Sequence, residues 1–331
     1  MNLSIDSGRE LVFSHKRKNM IKEEFYFDSY CGTNKIHAVK WVPDGAPLCV
    51  LQIVHGMSEY VESYEEFAAF LVEHNIIVVG EDHLGHGKSM GNNPPGYFCE
   101  KNPHKVVVED VHILKDMIRE EYPDIPYVMF GHSMGSFITR NFIHKYGTEI
   151  DGAVISATGI QPKAVLFFMK IVVAVLQSFQ GGRHVSRFMN KLVFGTYQKR
   201  IADPKTSFDW LCENEENVQK YLQDDLCGFI FTLNGFKTLA GLCSGLHDTD
   251  KIATVPKELP MIFLYGDEDP VGEYGAAVEK SYQMYVDAGM NQVSKILYPG
   301  KRHELLNEDN KWDVMQDVFG WIEKMILKQQ D

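Results

Sequence analysis

Apolar residues fall into short blocks separated by amphipathic stretches. Six blocks, at 48–54, 76–80, 127–130, 153–157, 261–265 and 293–297, are rich in Val, Ile and aromatics. Runs of this length and composition predict buried strands. Between them, apolar positions recur at helical spacing. Val107, Val111, Leu114 and Ile118 form one such stripe, and Val314, Val318, Trp321 and Met325 another. Both are read as core. Strand and helix in alternation predict an α/β architecture, a mostly parallel sheet with helices on both faces. Alternating segments at 24–28 and 35–41 predict a leading antiparallel hairpin.

The alternation breaks after Ala157. From 161 to 249 the pattern is helical with no convincing strand, and a strand resumes at Met261 after Pro256 and Pro260. An insertion within one sheet accounts for this better than two domains in series. Residues 1–160 and 250–331 are expected to form the core, and 161–249 a helical cap. The cap opens on the densest apolar stretch, 164–176, where twelve of 13 residues are apolar and Lys170 is the exception. At about 1.5 Å per residue it reaches ~20 Å, short of a ~30 Å bilayer core, and is not read as a transmembrane span. One helical stripe does not hold so many apolar residues. The helix is expected either to lie buried between cap and core or to expose a face to lipid aggregates or a second copy.

The chain has 331 residues, with 33 basic and 45 acidic ones, for a net charge of −12. That balance argues against a nucleic-acid partner, which needs a basic face. Apolar residues make up 44%, ordinary for a globular protein. The six cysteines (31, 49, 99, 212, 227, 243) form no C-x-x-C pair and read as free thiols. Residues 1–20 lack the apolar core of a signal peptide. Both observations lead to an expectation of a cytoplasmic protein, with lipid contact through the cap making it peripheral to membrane.

The strongest chemical signal is Gly131-His132-Ser133-Met134-Gly135, after an apolar strand and before a helical pattern. This is the setting of a nucleophile elbow, where a tight turn demands small residues two before and two after the serine. A serine hydroxyl needs a base, and the base needs an orienting carboxylate, in the chain order Ser, Asp, His. After strand 261–265 come Asp267, Glu268 and Asp269. Asp269 is favoured because it precedes the Pro270-Val271-Gly272 turn, and the other two acids remain open. His303 is the only histidine after Asp269. Oxyanion donors are expected from the Met134 N–H, at the helix start, and the Met57 N–H, in the loop His55-Gly56-Met57-Ser58-Glu59-Tyr60. His55, Gly56 and His132 are expected beside the substrate. In the Asp82–Ser89 run, His83 and His86 invite a metal reading, but a glycine-punctuated loop bracing the catalytic loops explains it better. No cofactor or metal is called for.

Taken together, the 55–59, 82–89, 131–135, 266–269 and 299–308 motifs resemble the α/β-hydrolase group that holds monoacylglycerol lipases, bacterial lysophospholipase-like hydrolases and serine aminopeptidases of the S33 type. The resemblance runs from about 25 to 325. It implies an eight-stranded α/β-hydrolase sheet with an inserted helical cap. It also implies the triad Ser133, Asp269 and His303, with Met57 and Met134 as oxyanion donors. The sequence departs from the lipases' His-Gly-x-Gly-Glu-His at Ser58 and Tyr60, and Ser136 stands where glycine often follows the elbow. These changes are expected at the rim of an acyl pocket. The expected activity is hydrolysis of monoacylglycerol, lysophospholipid or a related ester through an acyl-enzyme. Two alternatives stay open. One is an aminopeptidase, with Glu213, Glu215 or Glu216 receiving a substrate amine. The other is a ligand-binding relative with slow turnover.

Overall fold

The computed structural model describes residues 10–17 and 20–328. Nine strands form one sheet: β1 Glu10–Arg17, β2 Met20–Asp28, β3 Lys35–Pro43, β4 Cys49–Val54, β5 Ile76–Glu81, β6 Tyr127–His132, β7 Gly152–Ser156, β8 Met261–Gly266 and β9 Val293–Tyr298. Their spatial order is β1-β2-β3-β5-β4-β6-β7-β8-β9. Strands β4 to β9 pair in parallel, while β1, β2 and β3 are antiparallel additions at one edge. The eight strands of the expected fold are β2 to β9. A ninth, β1, extends the antiparallel edge beyond the predicted hairpin.

Among the described residues ten α-helices accompany the sheet: α1 Glu65–Glu73, α2 Pro103–Glu121, α3 Met134–Tyr146, α4 Lys163–Gln180, α5 Arg187–Phe194, α6 Glu215–Gln223, α7 Leu233–Gly245, α8 Thr249–Thr254, α9 Ala276–Asp287 and α10 Lys311–Ile322. Side chains of the central strands alternate between two cores. Val50, Val54, Tyr127 and Met129 join α2, α3 and α9 on one face. Leu51, Ile53, Val128 and Phe130 join α1 and α10 on the other. Both predicted helical stripes lie in these cores: the α2 stripe is fully buried, and Met325 packs partly buried just beyond α10.

Strand β9 departs from expectation. Read as a buried strand, it is the sheet edge, paired only with β8 and largely uncovered, with Leu297 44% exposed. Apolar residues predict a strand covered on both faces, a position that an edge strand does not have.

The segment between β7 and β8 carries α4 to α8 and one isolated bridge, Val185 to Thr232. Helix α4 runs on past the apolar stretch to 18 residues, about 27 Å. By length and composition alone it is long enough to cross a membrane; what changes is the length of the helix, and the reading that it is no transmembrane span is not overturned. Its buried residues are Leu166, Met169 and Val173. Val165, Phe167, Phe168, Ile171, Val175 and Phe179 are exposed, Phe179 by 84%. Of the two readings of this stretch, the exposed face is the one observed.

The sheet also fixes where a site can form. Strand β4 has β5 on one side and β6 on the other, so the chain leaves β4 in one direction and returns on its opposite flank. Ligands of open α/β sheets bind at such a switch point, beyond the carboxyl ends of the strands. There the end of β4 meets α3 with no room for a side chain: a Cβ on Gly135 would lie 1.8 Å from the Val54 carbonyl oxygen. Gly135→Ala should therefore lower folding stability by about 3 kcal/mol. Gly320→Ala, in α10 with open space around the missing side chain, should raise it by about 0.5–1 kcal/mol. Urea denaturation reads both.

Candidate active site

Ser133 sits between β6 and α3 with φ +50° and ψ −118°, a backbone conformation that costs a non-glycine residue strain. The surroundings enforce it. A Cβ on Gly131 would lie 2.4 Å from Thr139 Oγ1, so both flanking glycines are steric requirements. Ser136 Oγ donates to the Ser133 carbonyl (2.5 Å) and lies 2.8 Å from Thr158 Oγ1, whose hydroxyl can donate to it, clamping the turn from inside.

The structure brings Ser133, His303 and Asp269 into one chain of hydrogen bonds. His303 Nε2 lies 2.8 Å from Ser133 Oγ, and Nδ1 lies 3.0 Å from Asp269 Oδ2. This geometry suits an Nδ1–H donating to the carboxylate and an Nε2 accepting from the hydroxyl. Asp269 is fully buried, and its other oxygen accepts from the Val271 N–H at 2.8 Å. Asp267 and Glu268 point elsewhere. Asp267 accepts from the Gly300 N–H, and Glu268 is exposed. The β8 and β9 loops close on each other because Gly266 has no side chain: a Cβ there would lie 1.9 Å from the Lys301 carbonyl oxygen.

Met57 and Met134 line the same cavity as Ser133 and His303. Neither N–H is given to another acceptor among the described residues. His132 also lines the cavity; burial, then the nearby His303, hold its imidazole well below the usual range, so it is neutral. His55 and Gly56 lie behind the cavity wall. His55 Nδ1 bonds the Gly56 carbonyl, and its Nε2 accepts from the His83 N–H at 3.0 Å. Gly56 permits close approach: a Cβ there would sit 3.1 Å from Ser133 Cβ. Of the three departures from the lipase pattern, only Ser58 reaches the cavity; Tyr60 and Ser136 lie off it.

The Asp82–Ser89 loop braces this machinery. His83 and His86 pack with His55 in a buried stack. Burial, then His83, pushes the His86 imidazole down to about 3. Asp82 accepts from the N–H groups of Val61 and Lys88. Two other groups, Glu24-His37-Glu62 and His112-Asp116-Glu149, bring three ligand-type atoms together. Lysine ammonium groups already pair with their carboxylates, Lys88 in the first and Lys115 in the second.

The cavity holds about 710 Å³, within the range of small-molecule sites. Its walls are mostly apolar, drawn from α4 (Leu166, Met169), α5 (Leu192, Phe194) and the loops carrying Trp210 and Phe229. Cys243 also lines it, with a thiol that burial pushes up to about 12, so it stays protonated near neutrality.

Two lining residues escaped the sequence reading, the buried acids Glu59 and Glu304. Glu59 accepts from the Gly56 N–H and from Tyr64 Oη. Asn307 Nδ2 donates to Glu304. Their only sequence signal was adjacency to the His55 loop and to His303, where an acid ordinarily reads as solvated. Burial, then the Glu304 charge, pushes the Glu59 carboxyl up to about 8, and burial raises that of Glu304. Both folded-state values lie above the unfolded ones. These acids therefore favour the fold at low pH, and for Glu59 that contribution is lost as pH rises from 4.5 towards about 8. Glu304→Gln removes one acid and relieves the other. Between about pH 5 and pH 8, wild-type stability should fall relative to the variant, with a slope of up to about 1.4 kcal/mol per pH unit. Urea denaturation across that range checks it, and parallel curves would contradict it.

Comparison with known proteins places this geometry. The family model described as serine aminopeptidase, S33, matches residues 45–310. The monoglyceride lipase of Mus musculus is 26% identical over 297 residues, 86% of each chain. The monoacylglycerol lipase of Mycolicibacterium smegmatis is 24% identical over 307 residues, 91% of this chain and 97% of that one. Among solved structures, a thermostable carboxyl esterase from Bacillus coagulans, in complex with glycerol, superposes with a TM-score of 0.85 at 28% identity, covering 92% of this chain and 99% of the other. The chain belongs to the serine aminopeptidase S33 family of α/β-hydrolases and is an ester-hydrolysing serine hydrolase similar to the monoacylglycerol lipases.

Proposed function

We propose that Ser133, His303 and Asp269 are the nucleophile, base and orienting acid of a carboxylic ester hydrolase, and that the substrate is a monoacylglycerol, lysophospholipid or related single-chain ester. The observation that carries this reading is the Ser133–His303–Asp269 hydrogen-bond chain at the floor of a mostly apolar cavity. His303 Nε2 takes the Ser133 proton as Oγ attacks the ester carbonyl. The oxyanion rests between the Met57 and Met134 N–H groups. His303 returns the proton to the departing alcohol. Water, deprotonated by the same base, then releases the acid and restores the serine. Asp269 holds the imidazole in orientation throughout.

Residues 161–249 act as a cap whose α4 and α5 wall the acyl site. Lipid enters from an aggregate or bilayer on which the exposed face of α4 rests, so the protein works at the cytoplasmic surface of membranes. With a net charge of −12, apolar burial drives that contact rather than attraction to anionic lipid.

A second reading, aminopeptidase chemistry, draws on Glu59 and Glu304, the acids that line the cavity. Glu213, Glu215 and Glu216, the acids the sequence offers for an amine, pair with Lys301, Lys205 and Lys220 and are not among the residues lining the cavity.

A panel of p-nitrophenyl esters, monoacylglycerol, lysophospholipid and an aminoacyl-anilide separates the readings. Esters should turn over and the anilide should not; the reverse result overturns the ester reading. Ser133→Ala should abolish ester turnover. Asp269→Asn should lower it by roughly 10⁴, while Asp267→Asn should leave it near wild type. In flotation with neutral liposomes, wild type should rise with the lipid. Replacing Phe167 and Phe179 by Ser removes about 1.5–3 kcal/mol of transfer energy each and should abolish co-flotation.

A further inference from the structure

Helix α6 and its flanks, residues 209–229, are bonded at one end to the loop carrying Met57 and at the other to the loop carrying His303. At the first end, Tyr60 Oη lies 2.8 Å from Asp224 Oδ2, and Ser58 Oγ donates to the Phe229 carbonyl at 2.7 Å. The Ser58 carbonyl in turn accepts from the Gly228 N–H (3.0 Å) and Tyr221 Oη (3.2 Å). At the second end, Arg302 Nη1 donates to the carbonyls of Asp209 (2.7 Å) and Cys212 (3.0 Å). The Glu304 N–H donates to the Leu211 carbonyl at 2.6 Å, and the Glu213 N–H to Glu308 Oε2 at 3.0 Å.

Between the two ends lies a rigid element. The Asn214 side chain caps α6 by accepting from the Asn217 N–H, and Asn217 Nδ2 reaches the Asn307 carbonyl. Ser58 adds an argument from strain. Its φ is +58°, a left-handed conformation that glycine adopts freely and serine does not. The bonds made by its hydroxyl and carbonyl to 221–229 offset that strain, so the loop conformation and the segment above it are held together.

We propose that residues 209–229 are a strut fixing the separation between the oxyanion loop and the histidine loop, with Tyr60 and Arg302 as its positioning residues. This rests on the acyl-transfer reading above. Two donors must meet an oxyanion at about 2.7–3.1 Å while a base meets the nucleophile. The donor at Met57 and the base at His303 stand on loops from opposite ends of the chain, so a strut joining them sets the spacing that catalysis needs. A misplacement of about 1 Å is worth roughly 10² in rate.

The test uses Tyr60→Phe, Arg302→Met, the conservative Arg302→Lys and the Tyr60→Phe/Arg302→Met double variant. Turnover of a p-nitrophenyl ester should fall about five-fold in kcat for Tyr60→Phe and Arg302→Met, the weight of one hydrogen bond, with KM unchanged. Arg302→Lys, which keeps a donor, should recover part of the loss. The double variant should lose less than the product of the singles, because freeing either end frees the strut. The inhibition constant of a trifluoromethyl ketone of matched chain length should rise in step with the fall in kcat/KM. Losses that multiply, or a rise in KM alone, would overturn the proposal. Amide hydrogen exchange gives an arm independent of activity. Tyr60→Phe should speed exchange in 55–61 and 209–229 together, and unchanged exchange refutes the strut. A wild-type protein without ester turnover but with the exchange coupling would instead refute the ester reading.

Discussion

The approach of α3 to the end of β4 governs the rest of the molecule. Gly135 rests against the Val54 carbonyl with no space for a methyl group. That contact forces the turn between β6 and α3 to be sharp, which places Ser133 at φ +50° with its hydroxyl clear of the strand. It also lays the loop leaving β4 against the nucleophile, where Gly56 is the complementary gap. Ser133 and the loop carrying Met57 are thus set by adjacent strands of one parallel ladder, where Val54 pairs with Gly131. The remaining partners come from the next crossings, β8 and β9, whose loops meet through Gly266.

Around this constraint the protein buries several titratable groups, and burial disfavours the charged form of some of them. The His55, His83 and His86 cluster lies fully buried beneath the loop carrying Met57. Burial, reinforced by the neighbouring imidazoles, disfavours the cationic form of His55 and His86. The same physics with the opposite sign raises Glu59 and Glu304. Asp269 sets one oxygen against His303 Nδ1 and the other on the Val271 N–H. On the proposed reading those two contacts orient the imidazole.

Much of this was legible in the sequence because local sterics and chain order carry it. Two glycines around Ser133, between a strand and a helix, specify an elbow with few alternatives. His303 followed from order alone, since no other histidine comes later. Asp269 was favoured over Asp267 and Glu268 on the Pro270 turn; in the structure Asp269 faces His303, Asp267 holds the neighbouring loop's backbone and Glu268 faces out. Three features were not legible. The exposure of β9 depends on which strand ends the sheet, and apolar composition does not encode that. The length of α4 was understated because its polar last turn, Gln177 to Gln180, falls outside the apolar run. Glu59 and Glu304 face inward only because the sheet brings their two loops together, a relation with no local signature.

The segment between β7 and β8 divides its work in a way that average composition conceals. Its latter part, 209–229, meets the core through directional bonds to two loops, several of them from main-chain groups. Such contacts fix distance and orientation and tolerate little sliding. Its first part, α4 and α5, meets the core through Leu166, Met169, Val173 and Met189 and turns phenylalanines outward. Apolar contact is non-directional and adjusts to whatever surface it meets. One segment therefore combines a part suited to holding catalytic geometry with a part suited to taking up and walling a lipid chain. Both parts border the same cavity, through Phe229 and Trp210 on one side and α4 and α5 on the other. On the proposed reading, an incoming acyl chain displaces the adaptable wall while the spacing of Met57 and His303 stays under the control of the fixed one.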